Sequence, residues 1–257
     1  MPTKRRPSAP FQRVLLKLSG ELLASPAGDP LDPNGLGVVA GQVEGAIGAG
    51  VQMGVVLGGG NILRGSRDLG KAFPRTVSDS IGMIGTLVNA LALQAELDRR
   101  GIGSRVLSAT EVPSVAELHT PHRARRILEN GEVVLFAGGT GNPYFTTDTA
   151  AALRALEIGC GLLIKATKVD GVYSDDPERN REAQLFRSLT YEEVLARKLE
   201  VMDLTAITLC MENRLPVVVL NAKREGSVRR FLDGEALGTL ILPEGEDPDQ
   251  IRQRRSR

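Results

Sequence analysis

The chain has 257 residues, of which 42% are hydrophobic and 25% charged, which is typical of one large globular domain or two small ones. A net charge of +1 gives no overall attraction to nucleic acid or acidic membranes, and 4% aromatic residues without tryptophan disfavour a base-stacking platform. Cys160 and Cys210 lack metal-binding or redox spacing, so we expect buried thiols in a reducing, cytoplasmic setting. We find neither a signal peptide nor the roughly 18 consecutive apolar residues of a membrane span.

Short apolar runs alternate along the chain with longer segments of helical periodicity. In chain order the runs are RVLLKLS, VQMGVVLG, SRVLSA, EVVLFAG, CGLLIKA and PVVVLN. Near-continuous apolar strands separated by helices are typical of a parallel sheet buried on both faces. Helices are predicted over 82–100, 149–157 and 191–198, the last beginning with a capping box at Thr190.

These patterns predict a single doubly wound α/β domain, because no linker-like change of composition interrupts it. The domain covers residues 11–243. It lies between a disordered basic tail, residues 1–10, and a polar C-terminal tail, residues 244–257.

Glycine-rich and polar segments follow the predicted strands. They are LSGE, GGGNILRG, GGTGNPYFTTD, ATKVDGVYSDDP and NAKREGS, in chain order. Ligands of such sheets collect at the carboxyl ends of the strands, and glycine lets backbone N–H groups approach an anion closely. A plain tight turn is the better interpretation of any one of these loops. Several loops along one edge instead predict a large anionic ligand, or two.

Two familiar nucleotide motifs are not matched. GSRDLGKA, residues 65–72, is close to the P-loop pattern, but Ala72 supplies no hydroxyl for magnesium and no strand leads into the segment. GGGNIL and GGTGNP lack the G-x-G-x-x-G spacing, which disfavours a Rossmann dinucleotide site.

Lys17 and Lys165 lie within or at the end of otherwise apolar strands, where a lysine is costly unless it reaches an anion. Each lysine could also extend its amine to solvent at a strand end. Fixed cations of this kind would neutralise the charge on a transferring phosphoryl group. Asp148 follows the GGTGNP loop, either as a first-turn helix carboxylate or as the group that positions both lysines.

Other polar residues give weaker predictions. His119 and His122 are expected on the surface at a helix start, since no third metal ligand has suitable spacing. The arginines of the following helix form a solvated face or a subunit contact. Asp203 is either a helix cap or a pocket residue, and local sequence does not separate the two.

Five segments together resemble a known family. They are KLSGE at 17–21, GGGNILRG at 58–65, TGNPYFTTD at 140–148, KATKVDGVYSDDP at 165–177 and VMDLTA at 201–206. In this order they are similar to the bacterial uridylate (UMP) kinases of the amino acid kinase superfamily, from about residue 11 to residue 242. The resemblance implies a three-layer αβα sandwich around a mainly parallel sheet of about eight strands.

The resemblance also implies an activity, the transfer of the ATP γ-phosphoryl group to UMP in pyrimidine nucleotide biosynthesis. Magnesium would arrive on the nucleotide phosphates, with no protein metal site. The catalytic residues would be Lys17, Lys165, Asp148 and Arg64. ATP would contact Lys17, Leu18, Ser19, Gly20, Gly60, Arg64, Thr167, Tyr173 and Asp176. UMP would contact Gly59, Asp79, Thr140, Gly141, Asn142, Pro143, Tyr144, Phe145, Thr146 and Thr147.

Members of the family are usually homohexamers that GTP activates and UTP inhibits. The segment SPAGDP, residues 25–30, differs from the form common in the loop linked to GTP activation, so the effector response stays open. Two alternative functions also remain: a nucleotide-binding sensor or regulator, and a superfamily kinase that acts on a carboxylate or carbamate. The TGNPYFTTD loop argues against the second alternative.

Overall fold

A computed structural model describes residues 11–62, 73–177 and 179–253. Within these residues nine strands form one sheet: β1 Arg13–Leu18, β2 Gln52–Leu57, β3 Ser104–Ser108, β4 Glu117–Leu118, β5 Val133–Ala137, β6 Leu162–Thr167, β7 Ser188–Thr190, β8 Val217–Asn221 and β9 Thr239–Leu242. The strand order is β4-β3-β5-β2-β1-β6-β8-β9-β7, and only the β8–β9 pair of this described sheet is antiparallel. The predicted mainly parallel α/β fold is confirmed.

Helices cover both faces of the sheet. The described helices are α1 Pro33–Gly48, α2 Arg75–Arg99, α3 Pro121–Glu129, α4 Thr147–Ile158, α5 Tyr191–Ala196, α6 Leu204–Glu212, α7 Ser227–Leu232 and α8 Pro248–Gln253, with a 3₁₀ turn at Gly20–Leu22. Helices α1, α2, α7 and α8 contribute to the apolar core on one face. Helices α3 to α6 contribute to the core on the other, which completes three layers.

Strand alternation decides which side chains meet which helices. In β1, Leu16 packs into the α1–α2 core and Leu15 into the α3–α6 core. Lys17 therefore points to the same face as Leu15. The same alternation in β6 places Lys165 on the face of Leu163.

Several element boundaries differ from the predictions. Helix α2 begins at Arg75, directly after Pro74, seven residues before the predicted start at residue 82. The glycines at 82 and 85 weaken the apolar periodicity, which hid this first part of the helix from the prediction, but they do not end the helix. The segment predicted as a polar tail contains α8, whose Ile251 is buried in the core. Strand β9, with sequence TLIL, was not among the predicted apolar runs.

Helix α2 is apolar on both sides. By length and composition α2 could cross a membrane. In this fold 39% of its most apolar 18-residue stretch is buried. In this fold its inner side packs against the sheet through residues such as Leu93 and Leu97. Its outer side leaves four apolar side chains exposed, Val77, Ile81, Ile84 and Val88, which we call the α2 outer face.

Candidate active site

Two lysines and one carboxylate form an ionic cluster at adjacent strand ends. Lys17 and Lys165 are register partners on β1 and β6. Lys17 Nζ lies 2.7 Å from Asp148 Oδ1, and Lys165 Nζ lies 2.8 Å from Asp148 Oδ2. All three side chains are at most 15% exposed. The carboxylate thus separates two buried ammonium groups that would otherwise repel each other.

Asp148 owes its position to the start of α4. Thr146 is the N-cap residue, and its hydroxyl accepts hydrogen bonds from the backbone N–H groups of Asp148 and Thr149. A carboxylate in the first turn of a helix is stabilised by the helix dipole. The loop after β5 therefore delivers Asp148 to the two lysines in a fixed orientation.

Burial and charge oppose each other in this cluster. Burial alone would raise the pKa of Asp148, but the adjacent Lys17 and Lys165 outweigh it and hold that pKa below its ordinary value. Burial lowers the pKa of Lys165, and Asp148 counteracts part of that effect. Lys165 Nζ also donates to the Val201 carbonyl. The carboxylate thus favours the charged form of the lysine.

Asp203 is the N-cap residue of α6, one of the two alternatives that the sequence left open. Its carboxylate accepts from the backbone N–H of Ala206 at the start of α6. It also accepts from the hydroxyls of Thr146, at 2.5 Å, and Thr149, at 2.8 Å. Asp203 therefore ties α6 to the first turn of α4, the turn that carries Asp148.

A cavity of about 190 Å³ lies between α2, the Gly59–Gly60 turn and the loop after β5. Its wall contains the predicted UMP contacts Gly59, Asp79, Thr140, Asn142, Phe145, Thr146 and Thr147, together with Gly60, which was assigned to ATP. Gly141, Pro143 and Tyr144 belong to the same loop but not to this wall. The structure thus brings most of the predicted acceptor residues together.

Residues that sequence reasoning missed complete the cavity wall. They are Ser78, Gly82, Met83 and Thr86 of α2, whereas the last wall residue, Gly139, belongs to the GGTGNP loop that the sequence analysis assigned to an anionic ligand. Thr86 accepts a hydrogen bond from the Gly138 backbone N–H at 2.8 Å, which joins α2 to the loop. The hydroxyl of Ser78 is buried and has no hydrogen-bond partner among the described residues. A capping or periodicity signal could not have found the four α2 residues, because they lie on one side of a largely apolar helix.

Asp79 contacts the loop after β5, residues 138–146, which we call the acceptor loop. Its Oδ2 accepts from the backbone N–H of Tyr144 at 2.8 Å and lies 3.6 Å from the Arg75 guanidinium. Tyr144 has a φ of 72°, a left-handed conformation that is uncommon outside glycine. The Arg75 guanidinium stacks on the Tyr144 ring at 4.8 Å. These contacts orient the carboxylate, and its other oxygen is available to a hydroxyl donor.

The turns after β1 and β2 are packed closely together. A Cβ at Gly20 would lie 2.6 Å from the Gly58 carbonyl oxygen, so only glycine fits there. Asn89, fully buried in α2, donates to that same carbonyl at 2.6 Å. Ser19 caps the 3₁₀ turn with its hydroxyl, and Leu18 is buried in the core. Arg64, predicted to contact ATP, lies outside the described residues.

The predicted adenosine contacts follow β6. Thr167 ends the strand and exchanges hydrogen bonds with the backbone of Val169. Tyr173 forms a β-bridge with Leu185. Asp176 lies beyond it and pairs with Arg179 at 3.5 Å. These residues extend the polar edge away from the acceptor cavity.

His119 corrects one sequence prediction. It was expected on the surface, but its side chain is only 6% exposed and its Nε2 lies 2.8 Å from Glu157 Oε2. The partner is 38 positions away in sequence, so the polar surroundings of His119 in the chain gave no sign of the contact.

A larger cavity of about 700 Å³ lies elsewhere, beside β3 and residues 111–118.

Comparisons with known proteins agree with this geometry. The model of the amino acid kinase family matches residues 12–221. The uridylate kinase of Methylococcus capsulatus is 48% identical over 90% of this chain and 97% of its own length. The chloroplastic uridylate kinase PUMPKIN of Arabidopsis thaliana is 49% identical over 92% of this chain and 70% of its own length.

Solved structures give the same result. The UMP kinase of Bacillus anthracis superposes with a TM-score of 0.89 at 36% identity and covers 92% of this chain and 98% of its own. The UMP kinase of Ureaplasma parvum has a TM-score of 0.85 at 33% identity and covers 93% and 99%. The fold, the strand-end cluster and these similarities together establish that the chain belongs to the amino acid kinase family.

Proposed function

We propose that the protein is a UMP kinase, which transfers the γ-phosphoryl group of ATP to UMP and yields ADP and UDP. The observation that carries the proposal is the buried Lys17–Asp148–Lys165 cluster, which lies at the ends of β1 and β6. The adjacent cavity, walled by glycine backbone and threonine hydroxyls, suits a nucleotide monophosphate acceptor. The named relatives support uracil as its base.

The chemistry requires little beyond positioning and charge. An oxygen of the UMP phosphate attacks the γ-phosphorus of ATP, a new P–O bond forms, and the bond to the β-phosphate oxygen breaks to release ADP. A phosphate monoester with a second pKa of about 6 is already mostly a dianion at neutral pH, so no general base is needed. The ammonium groups of Lys17 and Lys165 neutralise charge on the transferring group. Asp148 holds them in place.

The roles of the remaining residues are part of the proposal. Asp79 receives the ribose hydroxyls of UMP on the carboxylate oxygen that Tyr144 leaves available. The loop 140–147 surrounds the acceptor, and the turns at Ser19–Gly20 and Gly60 face the phosphates of ATP. Thr167, Tyr173 and Asp176 contact the adenosine. Magnesium enters as part of the substrate, bound to the nucleotide phosphates.

The decisive experiment measures ADP release from Mg-ATP with UMP, CMP, dTMP, acetylglutamate, aspartate and carbamate as acceptors. We expect selective turnover with UMP. Turnover with an amino acid derivative would retain the phosphate chemistry and reject the assignment of the acceptor cavity. Nucleotide binding without any turnover would contradict the enzyme and favour a sensor.

We further infer self-association into a homohexamer, in which the α2 outer face contacts a second copy. Its four residues recur at spacings of four, three and four, so they form one apolar stripe that water would otherwise cover. GTP activation and UTP inhibition are proposed from the family resemblance, as is a role in pyrimidine biosynthesis. The two unpaired cysteines support a cytoplasmic location.

A further inference from the structure

A second buried ionic cluster lies behind the acceptor loop. Arg154 Nη1 and His119 Nε2 both bond Glu157 Oε2, at 2.7 and 2.8 Å. The Arg154 and His119 side chains are each 6% exposed. Burying Arg154 and His119 beside a half-buried Glu157 is costly, so a cluster of this kind needs a reason beyond stability.

The cluster ends on the acceptor loop. Arg154 Nη2 donates to the Gly139 carbonyl at 3.2 Å, and Gly139 is part of the cavity wall. Gly138, Gly139 and Gly141 all have left-handed backbone conformations, with φ of 77°, 58° and 82°. A glycine-rich loop loses much conformational entropy when it becomes ordered. A contact from outside the loop therefore has a large effect on the fraction of molecules in which the loop is ordered.

The arginine itself is held from two sides. Burial alone would raise the pKa of Glu157, but the bonds from His119 and Arg154 outweigh it and keep that pKa below its ordinary value. The His119 ring packs edge-on against Phe136 of β5 at 5.3 Å. Its Nδ1 is buried without a partner among the described residues, while its Nε2 faces the Glu157 carboxylate.

We propose that Arg154 is a positioning residue for the acceptor: fixed by Glu157 and His119, it holds the Gly139 carbonyl so that the loop is ordered before UMP binds. Arg154 lies six positions after Asp148 on α4, so one helix fixes both the acceptor loop and the charge between the lysines. The inference rests on the proposed function for its kinetic consequence. The ordering of the loop can be measured without it.

The kinetic test compares Arg154→Gln with Arg13→Gln. Arg13 is a largely buried arginine that also bonds α4, but through the Ile158 carbonyl at the far end of the helix. We expect Arg154→Gln to raise KM for UMP about 10-fold or more, the effect of losing a charged hydrogen bond, with KM for ATP nearly unchanged. Arg154→Lys should recover part of the loss, and Arg13→Gln should leave KM for UMP unaltered.

The structural test is hydrogen exchange of the amides of residues 139–142 without ligand. Exchange there should become faster in Arg154→Gln and stay at the wild-type rate in Arg13→Gln. If Arg154→Gln does not fold, Glu157→Gln replaces it, because it frees the arginine and keeps the side-chain shape; a smaller change in the same direction is expected.

The outcomes separate this inference from the proposed function. Unchanged exchange in the loop, or equal increases in KM for UMP and ATP, would overturn the positioning role. Absence of UMP turnover in the wild-type protein would reject the kinase proposal, while the exchange measurement would still decide whether Arg154 orders the loop.

Discussion

At the scale of single residues, Lys165 is the side chain whose removal should separate chemistry from folding. We expect Lys165→Ala to lower kcat by about 10²–10³-fold, because one fixed charge facing the transferring phosphoryl group is lost. Lys223→Ala is the matched control, since that lysine is exposed and follows the neighbouring strand β8. Steady-state kinetics and a melting curve for each variant test the expectation. Near-normal turnover in Lys165→Ala would rule out the two-lysine mechanism.

Asp148 links the same cluster to pH. Its folded pKa is below the ordinary 3.8, so its stabilising contribution is complete above that pH and is lost as the pH falls through the folded value. Asp148→Asn should lower the free energy of unfolding at neutral pH by about 3–5 kcal/mol, the usual cost of removing one partner from a buried ion pair.

The measurement for Asp148 is denaturant unfolding from pH 7 down to pH 2. The difference between wild type and Asp148→Asn should shrink as the solution becomes more acidic. Asp98→Asn, which changes an exposed carboxylate near the end of α2, should follow the wild-type curve. A difference that stays constant across the acid range would contradict the ion-pair account.

At the scale of elements, two threonine caps have different consequences. Thr190 forms a capping box with Glu193 at the start of α5, remote from the ionic cluster. Thr190→Ala should cost about 1 kcal/mol and lower Tm by about 2–4 °C, without a change in kcat or KM. The cap at Thr146 should cost a similar amount, but its loss also removes one of the hydrogen bonds to Asp203 and loosens the turn that carries Asp148.

Thr146→Ala should therefore lower kcat in addition to Tm. Differential scanning fluorimetry and steady-state kinetics on both variants make the comparison. The interpretation of α4 as the element that organises the site would be wrong if both caps affected stability alone.

At the scale of the whole molecule, the α2 outer face should decide the oligomeric state. Replacing an apolar side chain at the centre of an interface with a carboxylate forces a charge into an apolar contact. Ile84→Glu should therefore convert the proposed hexamer to smaller species in light scattering after size exclusion. Val38→Glu, at a similarly exposed valine on α1, should not. An unchanged mass for Ile84→Glu would exclude this face from the interface.

The sequence by itself determined the features that depend on neighbouring residues. Apolar runs marked six of the nine described strands, and the glycine-rich or polar segments after five of these runs marked the polar edge of the sheet. The capping box at Thr190 could be predicted because its signal lies within four consecutive residues. The structure contains that capping box. The segment resemblance identified the family, because most of those segments follow strands and form the candidate site.

Only the tertiary structure decided the contacts between distant residues. The register of β1 against β6 places Lys17 opposite Lys165, although 148 positions separate them. The Asp203 carboxylate reaches Thr146 over 57 positions, and His119 reaches Glu157 over 38. A lone polar residue in a sequence gives no sign of such a partner. The path of the backbone sets these distances, and the partner determines whether a buried charge is tolerated.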